Sequence, residues 1–481
     1  MTTLLLPQLI TALLVGNSLL IVGMLIYDER DPSTTLAWAL LLFMFPGLGL
    51  LFYIICGRNW RRISRRDVSL ADAVRFGDEQ LRPVYEAWSH QASEHLATQP
   101  TVSTRLARAI TRQNDTRLLP CTNLTVMCEG AIKFPALFAD IERATDTIHL
   151  EYFIWESDEM TGRLCELLAR KVAAGVKVRV LYDWIGSLPF RKKQLAALKA
   201  AGGEVRADIA HWSRLNYRNH RKMAVIDGRI GYTGGMNMGQ EYIDGKPRYE
   251  SWRDTHLRFE GPLVAELQRL YCEQWYRVTG ESLFTDRYFP ELTVNPGERV
   301  VWSQLAYSGP ETPYQAIRNA FLLAIHSAEK TVRIQSPYFV PDEPIFEALV
   351  TQSFAGVKVD FMMAGIPDKK IAWDAAFSYI GDFVEAGGEL NQYFAGFFHA
   401  KTMTIDGVVA SFGTTNFDIR SFTLHDELSI FFYDAQVAQE QDRIFAVDRE
   451  SCRQVDQSTY DGFSMIRTFR IAFARLWSRL L

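Results

Sequence analysis

The chain opens on two apolar runs: Leu4–Tyr27 holds no charged residue in 24 positions and Leu36–Cys56 none in 21. A helix crosses a bilayer with about 20 apolar residues, so either run is long enough. Neither shows the polar stripe of a surface helix, and the first lacks the basic start and short apolar core of a cleaved signal. Only Asp28–Thr35 separates them, so they are expected to fold back as a transmembrane hairpin, with spans at about 4–27 and 36–56 inside a segment 1–57. Arg58, Arg61, Arg62, Arg65 and Arg66 follow the second run and nothing basic precedes the first. The positive-inside rule then puts both ends, and all that follows, on the cytoplasmic side of a membrane.

Residues 58–115 are polar, mixed in charge and interrupted by Pro83 and Pro100, and read as a connector with some helix. After it the hydrophobic pattern changes period. Thr147–Trp155 reads as a strand; Met160, Leu164, Leu167, Leu168 and Val172 recur at helical spacing; Gly175 stops the helix; Val176, Val178 and Val180 alternate. The same plan returns downstream as a strand over Thr331–Val340, a helix through Ile345, Phe346, Leu349 and Val350, Gly356, and alternating Val357, Val359 and Phe361. Ala201-Gly202-Gly203-Glu204 in the first half has its counterpart in Ala386-Gly387-Gly388-Glu389. Two βαβ-containing halves of one plan predict an α/β fold with a pseudo-twofold axis, which brings distant residues to one interface.

Chemistry follows the same duplication. His220, Lys222 and Asp227 form an HxKxxxxD pattern that returns as His399, Lys401 and Asp406, 179 residues on (399 − 220). Gly234 with Asn237 and Gly413 with Asn416 keep that offset. Apolar alternation after each lysine predicts a strand, on which residues two apart share a face, so His and Lys should point at one spot. Imidazole can attack or carry protons while ammonium neutralises phosphate oxygens. Asp227 and Asp406 precede Gly228 and Gly407, a hairpin-turn signal, and a turn role and a catalytic role both stand open for them. Gly234 and Gly413 suit tight turns; Asn237 and Asn416 can donate to a phosphoryl oxygen. The remaining histidines, His256 among them, read as ordinary core or surface residues.

Composition narrows the classes. The chain is 481 residues, 48% apolar and of net charge −4, enough for a large core and without the basic surplus of a nucleic-acid binder. Its six cysteines form no CxxC pair and no zinc-finger spacing, so neither a disulfide framework nor a structural metal is expected, and no cofactor is called for. Arg214, Arg218 and Arg221 crowd the first motif, as anionic headgroups or plain solvation would favour; Phe397 and Phe398 abut the second, as acyl chains or core packing would. In the tail, Phe469, Phe473, Leu476, Trp477 and Leu480 gather on one side and Arg467, Arg475 and Arg479 lie opposite, the pattern of a membrane-surface helix over 446–481.

On ERDPSTTLAWALLL, NHRKMAVIDGRIGYTGGMN, ESWRDTHLRFEGP, QSPYFVPD, FFHAKTMTIDG and FGTTNFDIRSF, the chain resembles the phospholipase D superfamily and, within it, the bacterial cardiolipin synthases. The resemblance implies two pseudo-twofold-related phospholipase D-like domains, mixed β-sheets flanked by helices, over 116–285 and 296–445. It implies a ping-pong transfer: one histidine attacks a phosphatidyl phosphorus, the other protonates the leaving alcohol, and the roles reverse for the incoming hydroxyl. The family favours His220 as nucleophile and His399 as acid and base, although the two motifs are near-symmetric. It further implies that a carboxylate orients the histidine of the opposite half, at the matching positions Asp254 and Glu427. Thr414 stands where the family carries serine, and His425-Asp426-Glu427 replaces its common Asn-Phe-Glu, so Asp426 is a rival for Glu427. The implied substrates are phosphatidylglycerol and anionic membrane lipids, with cardiolipin and glycerol as products, at the bacterial cytoplasmic membrane. A hydrolase, a transferase with another acceptor alcohol, a nuclease and a non-catalytic scaffold are the alternatives; two intact motifs weigh against the last.

Overall fold

The computed structural model describes residues 2–27, 32–45, 47–53, 68–188, 194–209, 216–456, 458–461, 463–476 and 478. Arg58–Arg66, Arg214, Trp477, Arg479 and Leu480 of the sequence argument lie outside them. Contacts divide the chain into two units, Met1–Asp67 with Ile209–Arg218, and Val68–Asp208 with Asn219–Leu481.

In the first unit, helices Thr2–Tyr27 and Pro32–Met44 pack side by side: Asn17 donates to Leu42 O at 2.7 Å, and Leu20 and Ile21 meet Trp38, Ala39 and Leu42. The two helices fold back on each other as expected, but the membrane spans expected of them are not supported among the described residues. The expected second span over 36–56 is not one helix, because the chain breaks after Met44 and restarts as Leu48–Phe52. Gly47 takes φ 94° at the break, and the proline before it has no N–H for a helical ladder. Side chains of Thr2–Tyr27 are described only between residues 8 and 23, and among the described residues no helix is long and apolar enough to cross a membrane.

Among the described residues there are eighteen strands. The first half contributes β1 (Leu119–Met127), β2 (Thr147–Tyr152), β3 (Lys177–Asp183), β4 (Glu204–Asp208), β5 (Arg218–Asn219), β6 (Lys222–Ile226), β7 (Ile230–Gly234), β8 (Trp252–Arg253) and β9 (His256–Glu260). The second contributes β10 (Val301–Ser308), β11 (Thr331–Gln335), β12 (Lys358–Ala364), β13 (Glu389–Tyr393), β14 (Phe397–Phe398), β15 (Thr402–Ile405), β16 (Val409–Gly413), β17 (His425–Phe432) and β18 (Cys452–Val455). One sheet runs β18-β13-β12-β11-β15-β16-β17-β10-β1-β9-β7-β6-β2-β3-β4. The order is the same read outward from the β10·β1 seam in either direction, apart from the added edge strand β18. β2, β3 and β4 pair in parallel, as do β11, β12 and β13, while β6, β7 and β9, like β15, β16 and β17, pair antiparallel. The mixed sheet and the two matched halves follow the sequence expectation.

Helix Glu159–Ala173 between β2 and β3 buries Met160, Leu164, Leu167 and Leu168, and Asp158 caps it by accepting from Thr161 N at 2.9 Å. Helix Glu343–Phe354 repeats this with Ile345, Leu349 and the cap Asp342. At the seam Leu119, Phe259, Leu305, Phe412 and Phe432 share one core, so the halves are held together by apolar burial as well as by strand pairing.

Four expectations need correcting. The strand expected over Thr147–Trp155 ends at Tyr152, because Ile154 N–H bonds Asn237 Oδ1 (3.2 Å) and Trp155 N–H bonds Ser187 Oγ (3.1 Å) instead of a neighbouring strand. The strand expected over Thr331–Val340 ends at Gln335, two residues before Pro337, which has no N–H to give a ladder. Residues 58–115 are more than a connector. Helix Val68–Ala97 puts Leu81 and Tyr85 into the seam core, and helix Thr101–Asn114 puts Leu106 and Ile110 into the core of the second half. The 446–481 segment, expected as one helix, holds the end of helix Ala435–Glu450, β18, Ser458–Asp461 and Met465–Leu476.

Candidate active site

The motif histidines sit just before β6 and β15 rather than on them, and each is anchored to the opposite half. His220 N–H donates to Asp426 O on β17 at 3.0 Å, and His399 N–H donates to Arg253 O at 2.8 Å. β14, which leads into His399, pairs in parallel with β8. The side chains repeat this exchange. His220 Nδ1 lies 2.8 Å from Glu427 Oε1, and His399 Nδ1 lies 2.7 Å from Asp254 Oδ2. Both carboxylates are fully buried. A carboxylate on Nδ1 fixes the proton there and leaves Nε2 with its lone pair facing away from the carboxylate. Lys222 Nζ donates to His220 O at 2.6 Å, and Lys401 Nζ likewise to His399 O. The lysines therefore reach the histidines by folding back onto their carbonyls, not by sharing a strand face as alternation suggested.

Burial dominates the electrostatics. It drives His220 well below its ordinary pKa, helped by the Lys222, His425, Lys401 and His399 charges. Burial and Lys401 lower His399 to about 4 against the pull of Asp254. Burial lowers Lys222 to about 7 and also lowers Lys401. The two carboxylates part company. Burial pushes Glu427 well up, whereas for Asp254 burial is overcome by Lys401 and His399, which hold it ionised.

Asp227 and Asp406 do not face the histidines. Each occupies a hairpin turn at φ 51° and 52°, followed by Gly228 and Gly407 at φ 63° and 65°, so both central residues take the left-handed conformation that such turns require. The Asp227 carboxylate accepts from Thr145, Asp146 and Thr147 N–H at 2.8 Å each; that of Asp406 accepts from Glu329 N–H at 2.9 Å and from Lys330 and Thr331 N–H at 2.8 Å. Each ties the end of its hairpin to the start of the neighbouring strand. Gly234 and Gly413 are not turn residues. They end β7 and β16, where an added Cβ would stand 2.5 Å from Thr255 O and 2.3 Å from Leu428 O.

Asn237 is buried, accepting from Ile154 N–H and donating to Tyr242 Oη at 3.1 Å; the Asn416 side chain is buried with no hydrogen-bond partner for its Oδ1. Arg221 is buried rather than solvated, 3.9 Å from Asp426, whose other oxygen takes Arg277 at 3.0 Å. Asp426 is thereby committed to arginines, and Glu427 orients His220. Phe397 and Phe398 are core residues against Trp252, Tyr249 and Tyr393, with Phe397 also stacked on His399 at 5.7 Å between ring centres.

Sequence reasoning missed three neighbours. Phe153 sets its ring against His220, 4.8 Å between centres. Lys133 is fully buried, 3.4 Å from Met236 O and Asn237 O; a charge on the apolar stripe of Phe134, Leu137 and Ile141 was the available signal. His256, read as an ordinary residue, is fully buried with neither ring nitrogen hydrogen-bonded. Among the described residues one group has metal-ligating composition, His220, His425 and Glu427, with ligand atoms within 4.8 Å. Its members belong to the histidine dyad, and Arg420 donates to His425 Nε2 at 2.9 Å, placing a guanidinium where a cation would be repelled.

The chain is similar to known proteins over nearly its whole length. The family described as "Cardiolipin synthase, PLD-like domain" matches residues 137–251 and 321–449, and "Phospholipase_D-nuclease N-terminal" matches 17–58. A cardiolipin synthase of Oceanobacillus iheyensis is 35% identical over 98% of this chain and 100% of its own length. The major cardiolipin synthase of Bacillus subtilis is 34% identical over 98% of both. A crystal structure of phosphatidylserine synthase from Haemophilus influenzae covers 78% of this chain and 100% of that one, with TM-score 0.58 at 16% identity, a likeness of fold.

Proposed function

Because this chain belongs to the family of phospholipase D-like cardiolipin synthases, we propose that it transfers the phosphatidyl group of one phosphatidylglycerol to a second, giving cardiolipin and glycerol. The observation that carries this reading is the crossed pair of dyads, each histidine oriented by a buried carboxylate of the opposite half.

In the first step His220 Nε2 attacks phosphorus. A P–N bond forms, the P–O bond to glycerol breaks, and His399, protonated on Nε2 once the anionic phosphodiester lies beside it, delivers that proton to the leaving glycerol oxygen. In the second, His399 takes the proton from the hydroxyl of the incoming phosphatidylglycerol, whose oxygen displaces His220. Ionised Asp254 stabilises the protonated imidazole of His399, which favours it as proton carrier. Glu427, pushed toward its neutral form, leaves His220 an uncharged nucleophile. Lys222, Lys401, Asn237 and Asn416 supply donors for the phosphoryl oxygens. Asp227 and Asp406 act on the site only through the turns they hold.

The reading also places the chain at the bacterial cytoplasmic membrane, with the catalytic halves on the cytoplasmic face. The uncharged helix Thr2–Tyr27, the hairpin it makes with Pro32–Met44 and the basic run Arg58–Arg66 support that placement. Product analysis tests the activity: purified protein in vesicles containing labelled phosphatidylglycerol should yield cardiolipin with stoichiometric glycerol. Phosphatidic acid as the main product would make water the acceptor and replace the synthase by a hydrolase.

A further inference from the structure

Helix Met465–Leu476 is docked on the second half by an unusual side of itself. Ala474 is buried against Val340 and Ala375, Arg470 pairs with Asp374 at 2.6 Å, and the Arg467 guanidinium lies 3.7 Å from the centre of the Phe463 ring. Arg475 lies over Tyr379. The arginines are thus spent on the protein, and the side turned to solvent is apolar. Met465 is 89% exposed, Ile466 75%, Phe469 71%, Phe473 50% and Leu476 80%. Phe469 and Phe473 stack on each other at 6.4 Å between ring centres. One turn before Asp374, Ile371 is 54% exposed, next to exposed Lys369 and Lys370.

Such a patch is costly in water, since each of these side chains forgoes transfer free energy that burial would recover. Its place in the fold suggests the occupant. Val340, which Ala474 covers, bridges to Asp418, two residues beyond Asn416 of the second motif region. The apolar face is therefore built onto the segment that carries one wall of the candidate site. Tyr338, two residues before Val340, holds Asp368 at 2.7 Å, next to the exposed lysines. Exposed Lys369 and Lys370 beside an apolar centre are complementary to anionic headgroups above acyl chains.

We propose that the outer face of Met465–Leu476, with Ile371, inserts into an anionic lipid leaflet and sets the second-motif side of the site at headgroup depth. The proposal rests on the lipid substrate of the preceding reading, but its primary test needs no turnover. In full-length protein with Cys56, Cys128 and Cys452 changed to serine, an environment-sensitive fluorophore is attached at Phe469→Cys and, separately, at Val447→Cys, an exposed position on another helix. In phosphatidylglycerol/phosphatidylcholine vesicles the probe at 469 should shift to the blue and be quenched by chain-labelled nitroxide lipid, and the probe at 447 should do neither. A water-like probe at 469, or a shift that follows protein concentration rather than lipid, as a second copy on this face would give, overturns the proposal. If the probe inserts, Phe469→Ser/Phe473→Ser should raise the apparent KM for surface phosphatidylglycerol several-fold with kcat kept. An unchanged KM overturns the role in positioning the site.

Discussion

His399 Nδ1 lies 2.7 Å from Asp254 Oδ2 across 145 residues of sequence, and this contact makes the two halves one machine. Each motif histidine is met by the other half's carboxylate, so on the proposed mechanism no half holds a working site. His220→Ala and His399→Ala should each reduce kcat by at least ~10³, because a nucleophile and a proton carrier acting in series are not additive. Half activity in either variant, measured as cardiolipin formed per folded protein, would indicate two independent sites.

The aspartates of the motif should behave differently from its histidines. Asp227→Asn and Asp406→Asn replace an acceptor of three backbone N–H groups by an amide with one acceptor oxygen. Each should destabilise the fold by roughly 1–3 kcal/mol while leaving kcat per folded molecule within a few-fold. Thermal melts alongside activity separate the two effects; a normal Tm with lost activity would return these residues to the chemistry.

That outcome marks where the sequence was sufficient and where it was not. Duplication made the halves, the two histidines and the Asp-Gly turns legible, since period and offset are local properties. It left Asp227 undecided because a carboxylate's partners, here Thr145 to Thr147, come from a distant strand. Asp254 and Glu427 were reached only through resemblance: nothing local tells WRD or HDEL which ring it faces. The expected strand over Thr147–Trp155 was too long for the same reason, as Ser187 and Asn237 capture its last N–H groups from elsewhere in the fold.

Lys222 should cost the protein stability. Its folded pKa is about 7 against an ordinary 10.5, set mainly by burial. Above pH 10.5 neither state binds the proton; as pH falls toward 7 the unfolded chain takes it up and the folded one does not, so stability drops through that window. Lys222→Met should then be more stable than the parent at pH 8 by on the order of 1–3 kcal/mol, less the hydrogen bond to His220 O, and catalytically dead. Urea midpoints of both proteins at pH 8 and pH 10 check the sign: the gap should shrink at the higher pH.

Histidine burial works in the same sense, across the acid range. His399 titrates near 4 when folded and near 6.5 when unfolded, so the stability it contributes is fully present above 6.5 and is lost as pH falls toward 4. His399→Asn should flatten the decline of stability between pH 6.5 and 4. The same slope in both proteins would assign the acid lability to other groups.

The sharpest test of the crossed dyads uses a residue with no titratable group. Gly235 packs so closely on Asp254 that a Cβ there would stand 1.9 Å from Oδ1, whereas the equivalent position in the second half, Thr414, is a hydroxyl that donates to Glu427 Oε2. Gly235→Ala must push the Asp254 carboxylate off His399 without touching any proposed donor to the phosphate. If Asp254 orients His399, kcat should fall about 10²-fold or more, approaching the loss in Asp254→Asn, and combining the two should add little. Full additivity would mean that the alanine damages something other than the dyad. Thr414→Ser, which keeps the hydroxyl on Glu427, should stay within a few-fold of the parent, since at that position the hydrogen bond and not the methyl group serves His220.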